Sequence, residues 1–250
     1  MTSTRSLAEL LDRFGNEGRL LERIWSFDPA GMELTGIADD SRAVQPGSLF
    51  VAVKGLRVDG HAFVRQAIER GAVAVVVEVP VDGLPVPQLV VDRGAASLAS
   101  AAAWWYGDPS RELLTVGVTG TNGKTTTSFL AAAGLTGAGF ATGLIGTVGI
   151  RIGGRLSRNE EPNTTPGALN LQRILREMVD AGEQAVVIET SSTGSRRIAW
   201  RAWTTTPRSS RTSRTSTWTS TARSMPTSGP SAACSSGCRI AGRRPGQGSA

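Results

Sequence analysis

The chain of 250 residues is poor in histidine, lysine and cysteine, and it has no long run of apolar residues. It contains one histidine, His61, and two cysteines, Cys234 and Cys238, which lie near its C-terminal end. Two cysteines lack the second pair of ligands that a structural zinc site requires. The apolar runs are too short to span a membrane, and the N-terminal segment lacks the apolar block of a signal peptide. We therefore expect a cytoplasmic protein without a zinc centre or a membrane partner.

Acidic residues are absent from the last part of the sequence. The stretch 193–250 contains ten of the 27 basic residues, all of them arginines, and no Asp, Glu or Lys. The formal charge of +6 therefore comes from this tail, since the first 192 residues hold 21 acidic and 17 basic side chains. A basic balance confined to the tail gives no reason to expect a nucleic-acid partner for the first 192 residues.

The tail is rich in Ser, Thr and Arg and shows neither the period of a strand nor that of a helix. A disordered basic arm is one interpretation. Translation out of frame is another. If codons are rebuilt from the third base of each residue and the first two bases of the next, Trp218 followed by Thr219 must give aspartate. Across 209–213 the shifted frame allows Val-Phe-Thr-Asn-Leu, an ordinary globular pattern. We predict that 193–250 is a disordered tail read out of frame after a base was lost near Ser191 and Ser192.

The most informative stretch is a glycine-rich turn between a strand-like run at 113–118 and a helix-like run at 126–138. Such a turn brings backbone N–H groups and the positive end of the helix dipole to phosphate oxygens. Lys124 is expected to reach the phosphates, and the Thr125 hydroxyl to bind Mg²⁺. The full P-loop pattern has glycine where this chain has Val118. The turn still predicts a nucleotide-phosphate site made of Gly120, Thr121, Asn122, Gly123, Lys124, Thr125 and Thr126.

Strand-like and helix-like segments alternate along the first 192 residues, which predicts an α/β fold with parallel sheets. The N-terminal segment is amphipathic, with Leu7, Leu10, Leu11 and Phe14 on one face. The first predicted domain, 1–110, has strands at 47–53, 72–79 and 89–91 and helices at 61–70 and 95–105. The second, 111–192, has strands at 113–118, at 185–189 and near 142–152, and helices at 126–138 and 168–181. Because the second domain stops in mid-sheet, we expect an unpaired strand edge.

Glu189 follows an apolar run, at the predicted carboxyl end of a strand. Ligands of parallel sheets bind at this end, so a carboxylate there can hold Mg²⁺ opposite the phosphate turn. A lone strand-end glutamate can equally be a solvated or capping residue. His61 is interpreted as a helix-start residue and not as a catalyst.

Several motifs together resemble the ATP-dependent Mur ligases of peptidoglycan synthesis, and among them the type that adds the third residue of the stem peptide. The resemblance covers 20–192. In the first domain it rests on Asp39-Asp40-Ser41-Arg42, on Pro46-Gly47-Ser48-Leu49-Phe50-Val51-Ala52, and on Lys54-Gly55 with Asp59-Gly60-His61. In the second it rests on the phosphate turn, Asn163-Thr164-Thr165-Pro166 and Glu189-Thr190-Ser191-Ser192. The shifted frame of the tail also resembles family motifs.

The resemblance implies an N-terminal UDP-binding α/β domain followed by a truncated parallel-sheet ATP-binding domain. It implies ATP and Mg²⁺ as cofactors, Lys124 and Glu189 as catalytic residues, and Thr125 and Glu189 as metal ligands. The implied partners are UDP-N-acetylmuramoyl-L-Ala-D-Glu and a diamino acid, meso-diaminopimelate or L-lysine, joined through an acyl phosphate. The implied substrate-binding residues are Asp39, Ser41, Leu56, Arg57, Val58, Asn163, Thr164, Thr165 and Ser191. For Ser41 a turn or capping role explains the sequence equally well.

After residue 192 the printed sequence departs from the family, because the carbamylated lysine, the metal-binding histidine motif and the third domain are absent. We therefore expect a monomer with the substrate-recognition half and the phosphate turn, but with little or no ligase activity. Two alternatives are a folylpolyglutamate synthase-like ligase and a non-enzymatic nucleotide-binding fragment whose basic tail binds nucleic acid. The uridine-type first domain argues against the former, and the lack of lysine in the tail against the latter.

Overall fold

The computed structural model describes residues 4–25, 29, 31–55, 58–158 and 165–190. The predicted tail, 193–250, lies outside these residues. The described helices are α1 (Leu7–Asn16), α2 (Val64–Glu69), α3 (Gly94–Trp105), α4 (Lys124–Gly137) and α5 (Ala168–Asp180). The described strands are β1 (Arg5–Ser6), β2 (Leu20–Ile24), β3 (Glu33–Leu34), β4 (Gly36–Ala38), β5 (Ser48–Val51), β6 (Ala72–Val77), β7 (Gln88–Val91), β8 (Leu114–Thr119), β9 (Thr142–Ile145), β10 (Ile150–Ile152), β11 (Arg155–Ser157) and β12 (Ala185–Thr190). None of these helices is long and apolar enough to cross a membrane.

The first large sheet has the order β2-β7-β6-β5-β4 and is covered on both faces. Strands β4 to β7 run parallel, and only the edge strand β2 is antiparallel. Because side chains alternate along a strand, Leu49 and Val51 join one core with α1 and α3, whereas Phe50 and Ala52 join a second core with α2. The predicted buried strands at 47–53, 72–79 and 89–91 are confirmed by β5, β6 and β7.

Helix α1 confirms the amphipathic pattern at the N-terminus. Leu7, Leu10 and Phe14 are fully buried and Leu11 is nearly so. The helix begins after Ser6, whose hydroxyl accepts a hydrogen bond from the N–H of Ala8, as an N-cap residue does. The apolar stripe of α1 thus closes one face of the first sheet.

The second large sheet has the order β11-β10-β9-β12-β8. Its strands β9, β12 and β8 are parallel, as predicted, and the hairpin β10–β11 adds two antiparallel strands. Helix α5 packs on one face and α4 on the other. Within the described part of the chain, β8 pairs with β12 alone, so the strand that leads into the phosphate turn is an edge strand.

An ion-pair network lies where the two sheets are joined in sequence. Asp108 has a left-handed backbone, with φ of 53°, just before Pro109. The Arg13 guanidinium donates two hydrogen bonds of 2.9 Å to the two carboxylate oxygens of Asp108. A bidentate pair of this kind fixes the conformation of the connecting segment. The helices α3 and α5 also pack against each other, and both sheets belong to one compact unit, Met1–Thr205.

Candidate nucleotide-binding site

The phosphate turn has the strand–turn–helix geometry that the sequence predicts. Strand β8 ends at Thr119, and α4 begins at Lys124, two residues earlier than expected. Gly123 precedes the helix with φ of 75°, a left-handed conformation that favours glycine. The N–H of Thr127 makes a 2.9 Å bond to the Gly123 carbonyl. The first-turn amides of a helix have no acceptor within the helix, so they can bind an anion in the turn.

Lys124 folds back over the turn. Its Nζ donates to the carbonyl oxygen of Gly120 at 3.0 Å and to that of Thr121 at 3.2 Å. Residues 119–123 are exposed. An ammonium group held over an exposed loop of backbone can exchange these neutral acceptors for phosphate oxygens, and the charge-assisted bonds that result are stronger.

Glu189 is fully buried, so the interpretation as a solvated strand-end residue is wrong. Its Oε2 accepts hydrogen bonds from the Thr125 hydroxyl at 3.2 Å, from the Thr147 hydroxyl at 3.1 Å and from the Thr147 N–H at 3.4 Å. Strand pairing brings these groups together, because Glu189 lies opposite Val118 in the β12–β8 register. The predicted carboxylate and the predicted hydroxyl therefore share one site.

The second carboxylate oxygen of Glu189 suits a cation. Oε1 is buried and has no hydrogen-bond partner among the described residues. It lies against Gly146, where a Cβ atom would be only 2.5 Å away, so a side chain at 146 would occupy this space. A carboxylate and a hydroxyl are the hard oxygen donors that Mg²⁺ prefers. The described residues contain no cluster of three or more His, Cys, Asp or Glu, so Thr125 and Glu189 would leave the remaining positions to phosphate and water.

The loop that the sequence assigns to substrate binding reaches the same site at its described end. The hydroxyl of Thr165 donates to the backbone carbonyl of Glu189 at 3.0 Å, and Thr165 is buried. The other predicted substrate ligands of this half, Asn163, Thr164 and Ser191, lie outside the described residues. Thr165 thus connects the predicted substrate loop to the strand that carries Glu189.

The predicted uridine-binding residues of the first sheet differ from one another in burial. Ser41 is buried, and its hydroxyl donates to Gln66 Oε1 at 2.7 Å, which favours the structural interpretation of this serine. Asp39 is exposed, and Val58 is 58% exposed. Leu56 and Arg57 lie outside the described residues.

The sequence analysis missed Gly146 and Thr147. Both follow β9, the strand next to β12, and therefore stand at the same carboxyl edge as Glu189. The signal was present in the sequence, since a Gly-Thr pair after a strand at 142–145 belongs to the ligand-binding edge of a parallel sheet. The prediction gives only short strands near 142–152, without the end of the first one, so it does not place Gly146 and Thr147 directly after a strand.

Two models of one protein family match this chain in sequence order. A model described as the catalytic domain of the Mur ligase family matches residues 33–105, and the Mur ligase middle domain matches residues 118–207. The second match contains the phosphate turn and Glu189. The chain belongs to the Mur ligase family. Its two large sheets correspond to the two matched domains.

Curated relatives in this family share about half of the aligned residues. A UDP-N-acetylmuramyl-tripeptide synthetase of Roseiflexus is 50% identical over 166 residues, which are 66% of this chain and 33% of the relative. The synthetase of Deinococcus radiodurans is 52% identical over 163 residues, 64% and 33% of the two chains. A UDP-N-acetylmuramoyl-L-alanyl-D-glutamate–2,6-diaminopimelate ligase of Geobacillus thermodenitrificans is 46% identical over 176 residues, 69% and 35%. The chain spans about a third of the length of these curated relatives.

A solved structure confirms the α/β fold. The structure of a UDP-N-acetylmuramoyl-L-alanyl-D-glutamate–2,6-diaminopimelate ligase superposes with a TM-score of 0.61 at 24% identity, over 80% of this chain and 38% of that one. The middle-domain match continues to residue 207, beyond the last described residue, Thr190. The domain boundaries at 110 and 192 and the out-of-frame tail stay predictions.

Proposed function

We propose that this chain provides the substrate-recognition and phosphate-binding parts of an ATP-dependent ligase of peptidoglycan precursor synthesis. The reaction would add meso-diaminopimelate or L-lysine to UDP-N-acetylmuramoyl-L-Ala-D-Glu. The contact of Thr125 with the buried Glu189 carboxylate, beside the phosphate turn, is the observation that carries this proposal. The names of the relatives favour diaminopimelate as the amino acid that is added.

The described residues have distinct roles in this proposal. Lys124 and the amides of the turn bind and neutralise the phosphates of ATP. Thr125 and Glu189 would hold Mg²⁺, which supplies charge neutralisation at the phosphoryl group that is transferred. Thr147 donates two hydrogen bonds to Glu189, so it keeps this carboxylate oriented toward Thr125. These groups lower the barrier by positioning and electrostatic stabilisation, because phosphoryl transfer offers the protein little covalent chemistry.

The chemistry requires two substrates to meet at this edge of the second sheet. ATP phosphorylates the free carboxylate of the UDP-muramoyl dipeptide, and the amine of the diamino acid displaces phosphate from the acyl phosphate. Asn163, Thr164, Thr165 and Ser191 would contact the muramoyl-peptide part. Thr165 supports this assignment, since its hydroxyl bonds to the backbone of Glu189. Asp39 and the turn Leu56–Arg57–Val58 would receive the uridine part.

Calorimetry with the non-hydrolysable analogue AMP-PNP tests the site. We expect the 250-residue chain to bind this analogue at least about tenfold more tightly with Mg²⁺ than with EDTA, because Thr125 and Glu189 would hold the ion and its charge would offset that of the phosphates. Glu189→Gln should abolish this metal dependence while the metal-free affinity stays within about twofold of wild type. Equal metal dependence in wild type and variant would remove Glu189 from the site.

The 250 residues span only a third of the relatives they match, so binding and ligation need separate assays. We expect the isolated 250-residue chain to bind the ATP analogue and the UDP-muramoyl dipeptide without forming an amide bond. Release of phosphate that depends on both the dipeptide and diaminopimelate measures ligation. Amide formation by these residues alone would refute the expectation of inactivity.

A further inference from the structure

The only histidine of the chain links three segments at the ligand-binding edge of the first sheet. His61 follows the turn that comes after β5, and its side chain is only 16% exposed. The Nδ1 atom lies 2.7 Å from Asp59 Oδ1. The Nε2 atom accepts the backbone N–H of Glu78, directly after β6, at 2.9 Å. Both ring nitrogens are therefore engaged, one with the segment after β5 and the other with the end of β6.

These bonds determine the tautomer. The Glu78 N–H can only donate, so Nε2 must be unprotonated, and the proton of the neutral ring is on Nδ1. The Nδ1–H group then donates to Asp59, whose carboxylate also accepts the backbone N–H of His61 at 3.0 Å. The backbone N–H of His61 and then its ring lower the pKa of the Asp59 carboxyl, which keeps this acceptor ionised.

Asp59 belongs to one flank of the turn after β5. Lys54 and Asp59 form an antiparallel bridge, and the Gly55 N–H donates to the Val58 carbonyl at 2.9 Å. The Gly60 N–H donates to the Val53 carbonyl at 3.0 Å, which closes the base of the turn. The two flanks, 53–55 and 58–60, are thus tied to each other, and His61 ties them to the sheet.

The connection continues to the third parallel strand. The Oε1 atom of Glu78 accepts the N–H of Gly94, the first residue of α3, at 2.6 Å. A Cβ at Gly94 would lie 2.6 Å from the Ala52 carbonyl, so α3 begins in close contact with the end of β5. The chain of bonds Asp59–His61–Glu78–Gly94 therefore spans the carboxyl ends of β5, β6 and β7, where an open α/β sheet binds its ligand.

We propose that His61, as its Nδ1–H tautomer, is a positioning residue that holds the flanks of this turn in the conformation that binds the uridine nucleotide. It acts through Asp59 and Glu78 and does not contact the nucleotide. The inference rests on the proposed function, since that function brings the uridine part to this edge. The acceptor at Nε2 is the essential feature, because the backbone N–H of residue 61 still holds Asp59 when the ring is replaced.

Two substitutions separate this role from simple packing. The side-chain oxygen of Gln can reach the position of Nε2, whereas the shorter Asn side chain reaches only that of Nδ1. We expect His61→Asn in the full chain to weaken binding of uridine diphosphate about tenfold, the cost of a lost hydrogen bond, and His61→Gln to stay within about threefold of wild type. Arg65→Ala is the control, since Arg65 contacts only the exposed Asp82 carbonyl among the bonds described for it. Equal affinities of wild type and His61→Asn, or equal losses in both His61 variants, would overturn the inference.

The tautomer can be observed without a ligand. Because the chain has one histidine, long-range ¹H–¹⁵N spectra of the full chain contain a single imidazole pattern. We expect a protonated Nδ1 and an unprotonated Nε2, and the opposite tautomer would overturn the role of His61. If wild type shows the expected tautomer but does not bind uridine diphosphate, the proposed uridine site is wrong, and the positioning role falls with it. If it binds, the two His61 variants decide the positioning role alone.

Discussion

The two large sheets differ in how completely their faces are covered. The first sheet lies between two cores of comparable extent, built with α1 and α3 on one face and α2 on the other. The second has a substantial core toward α5, but toward α4 the described residues that are buried together are just Val118, Ala132, Leu144 and Val187. Helix α4 even carries Leu130 with 69% exposure. The nucleotide site thus lies in the less completely packed region, on an edge strand.

The first sheet has a buried core on each face, and we propose that its edge offers a rigid surface to the uridine nucleotide. The second positions a phosphate turn and a carboxylate, but its α4 face and the β8 edge expose apolar side chains and strand bonding groups in the described part of the chain. An exposed strand edge favours pairing with another segment. Among the described residues, the second sheet is therefore the less completely covered of the two.

The largest expected effect comes from restoring the reading frame. If a base is missing near Ser191 and Ser192, its insertion should extend the second region and raise ligase activity at least about a thousandfold over the 250-residue chain, since catalytic groups acting by electrostatic stabilisation have effects of this size. Sequencing of codons 185–240 comes first, followed by assay of phosphate release with the muramoyl dipeptide and diaminopimelate. An intact gene sequence that ends at Ala250 would disprove the frameshift.

A pair of leucine truncations tests the contrast in packing. Leu10→Ala in α1 removes a fully buried side chain and should lower the free energy of unfolding by about 2–5 kcal/mol. Leu130→Ala in α4 removes a mostly exposed one and should change it by less than about 0.5 kcal/mol. Urea unfolding of both variants measures the difference. Similar losses would mean that the two regions are equally well packed.

Lys124→Ala tests the nucleotide site. Loss of the ammonium group should weaken AMP-PNP binding about 10- to 100-fold, because hydrogen bonds to charged groups contribute about 1.5–3 kcal/mol. The fold should persist, since the bonds of the Lys124 side chain among the described residues go to two carbonyls of the exposed turn. Arg155→Ala removes an exposed cation from β11 and is the matched control. Calorimetry with both variants decides whether the effect belongs to the turn or to net charge.

Two carboxylates should give opposite responses to pH. Burial raises the pKa of Asp108, but the hydrogen bonds and charge of Arg13 outweigh it, so this pKa lies below its usual value. Burial raises the pKa of Glu183 above its usual value, against the Gly153 N–H and the Arg151 charge. Asp108 therefore stabilises the fold above its unfolded pKa, and this contribution is lost as the pH falls through the folded pKa. Ionised Glu183 destabilises the fold until acidification protonates it.

Substitution of each carboxylate isolates its part of the pH profile. Asp108→Asn should lower stability near neutrality and flatten the loss below about pH 4, whereas Glu183→Gln should remove a gain in stability as the pH falls toward about 4.3, the usual pKa of a glutamate. Urea unfolding across this range measures both profiles, with wild type as the reference. A steeper acid loss in Asp108→Asn would contradict the role of Arg13.

Much of this architecture follows from sequence pattern. The largely apolar runs that form β5, β6, β7 and β12 are buried on both faces, and such runs are recognisable without a structure. The edge strands β2 and β4 were not predicted. Strand β2 reads Leu-Leu-Glu-Arg-Ile and is mostly exposed, and β4 has three residues, so neither shows a clear period. Their pairing depends on neighbours distant in sequence.

The candidate site, too, was predictable only where its residues belong to local sequence patterns. Lys124, Thr125 and Glu189 belong to local motifs, whose chemistry can be read from residue type and position. The contact of Thr147 with Glu189 joins positions 42 residues apart, so only the sheet order reveals it. For Ser41 the motif left a ligand contact and a structural role equally open, and the structure gives it Gln66 as a partner.

The pairing of β12 with β8 fixes the position of Glu189 relative to the phosphate turn. Six consecutive residue pairs, from Ala185–Leu114 to Thr190–Thr119, join the strand that carries the carboxylate to the strand that enters the turn. A slip by one residue would turn Glu189 to the opposite face, so no partial displacement of the two strands preserves the site. Because the same six pairs hold the carboxylate strand and the strand that enters the turn, we expect β8 and β12 to move together in any conformational change.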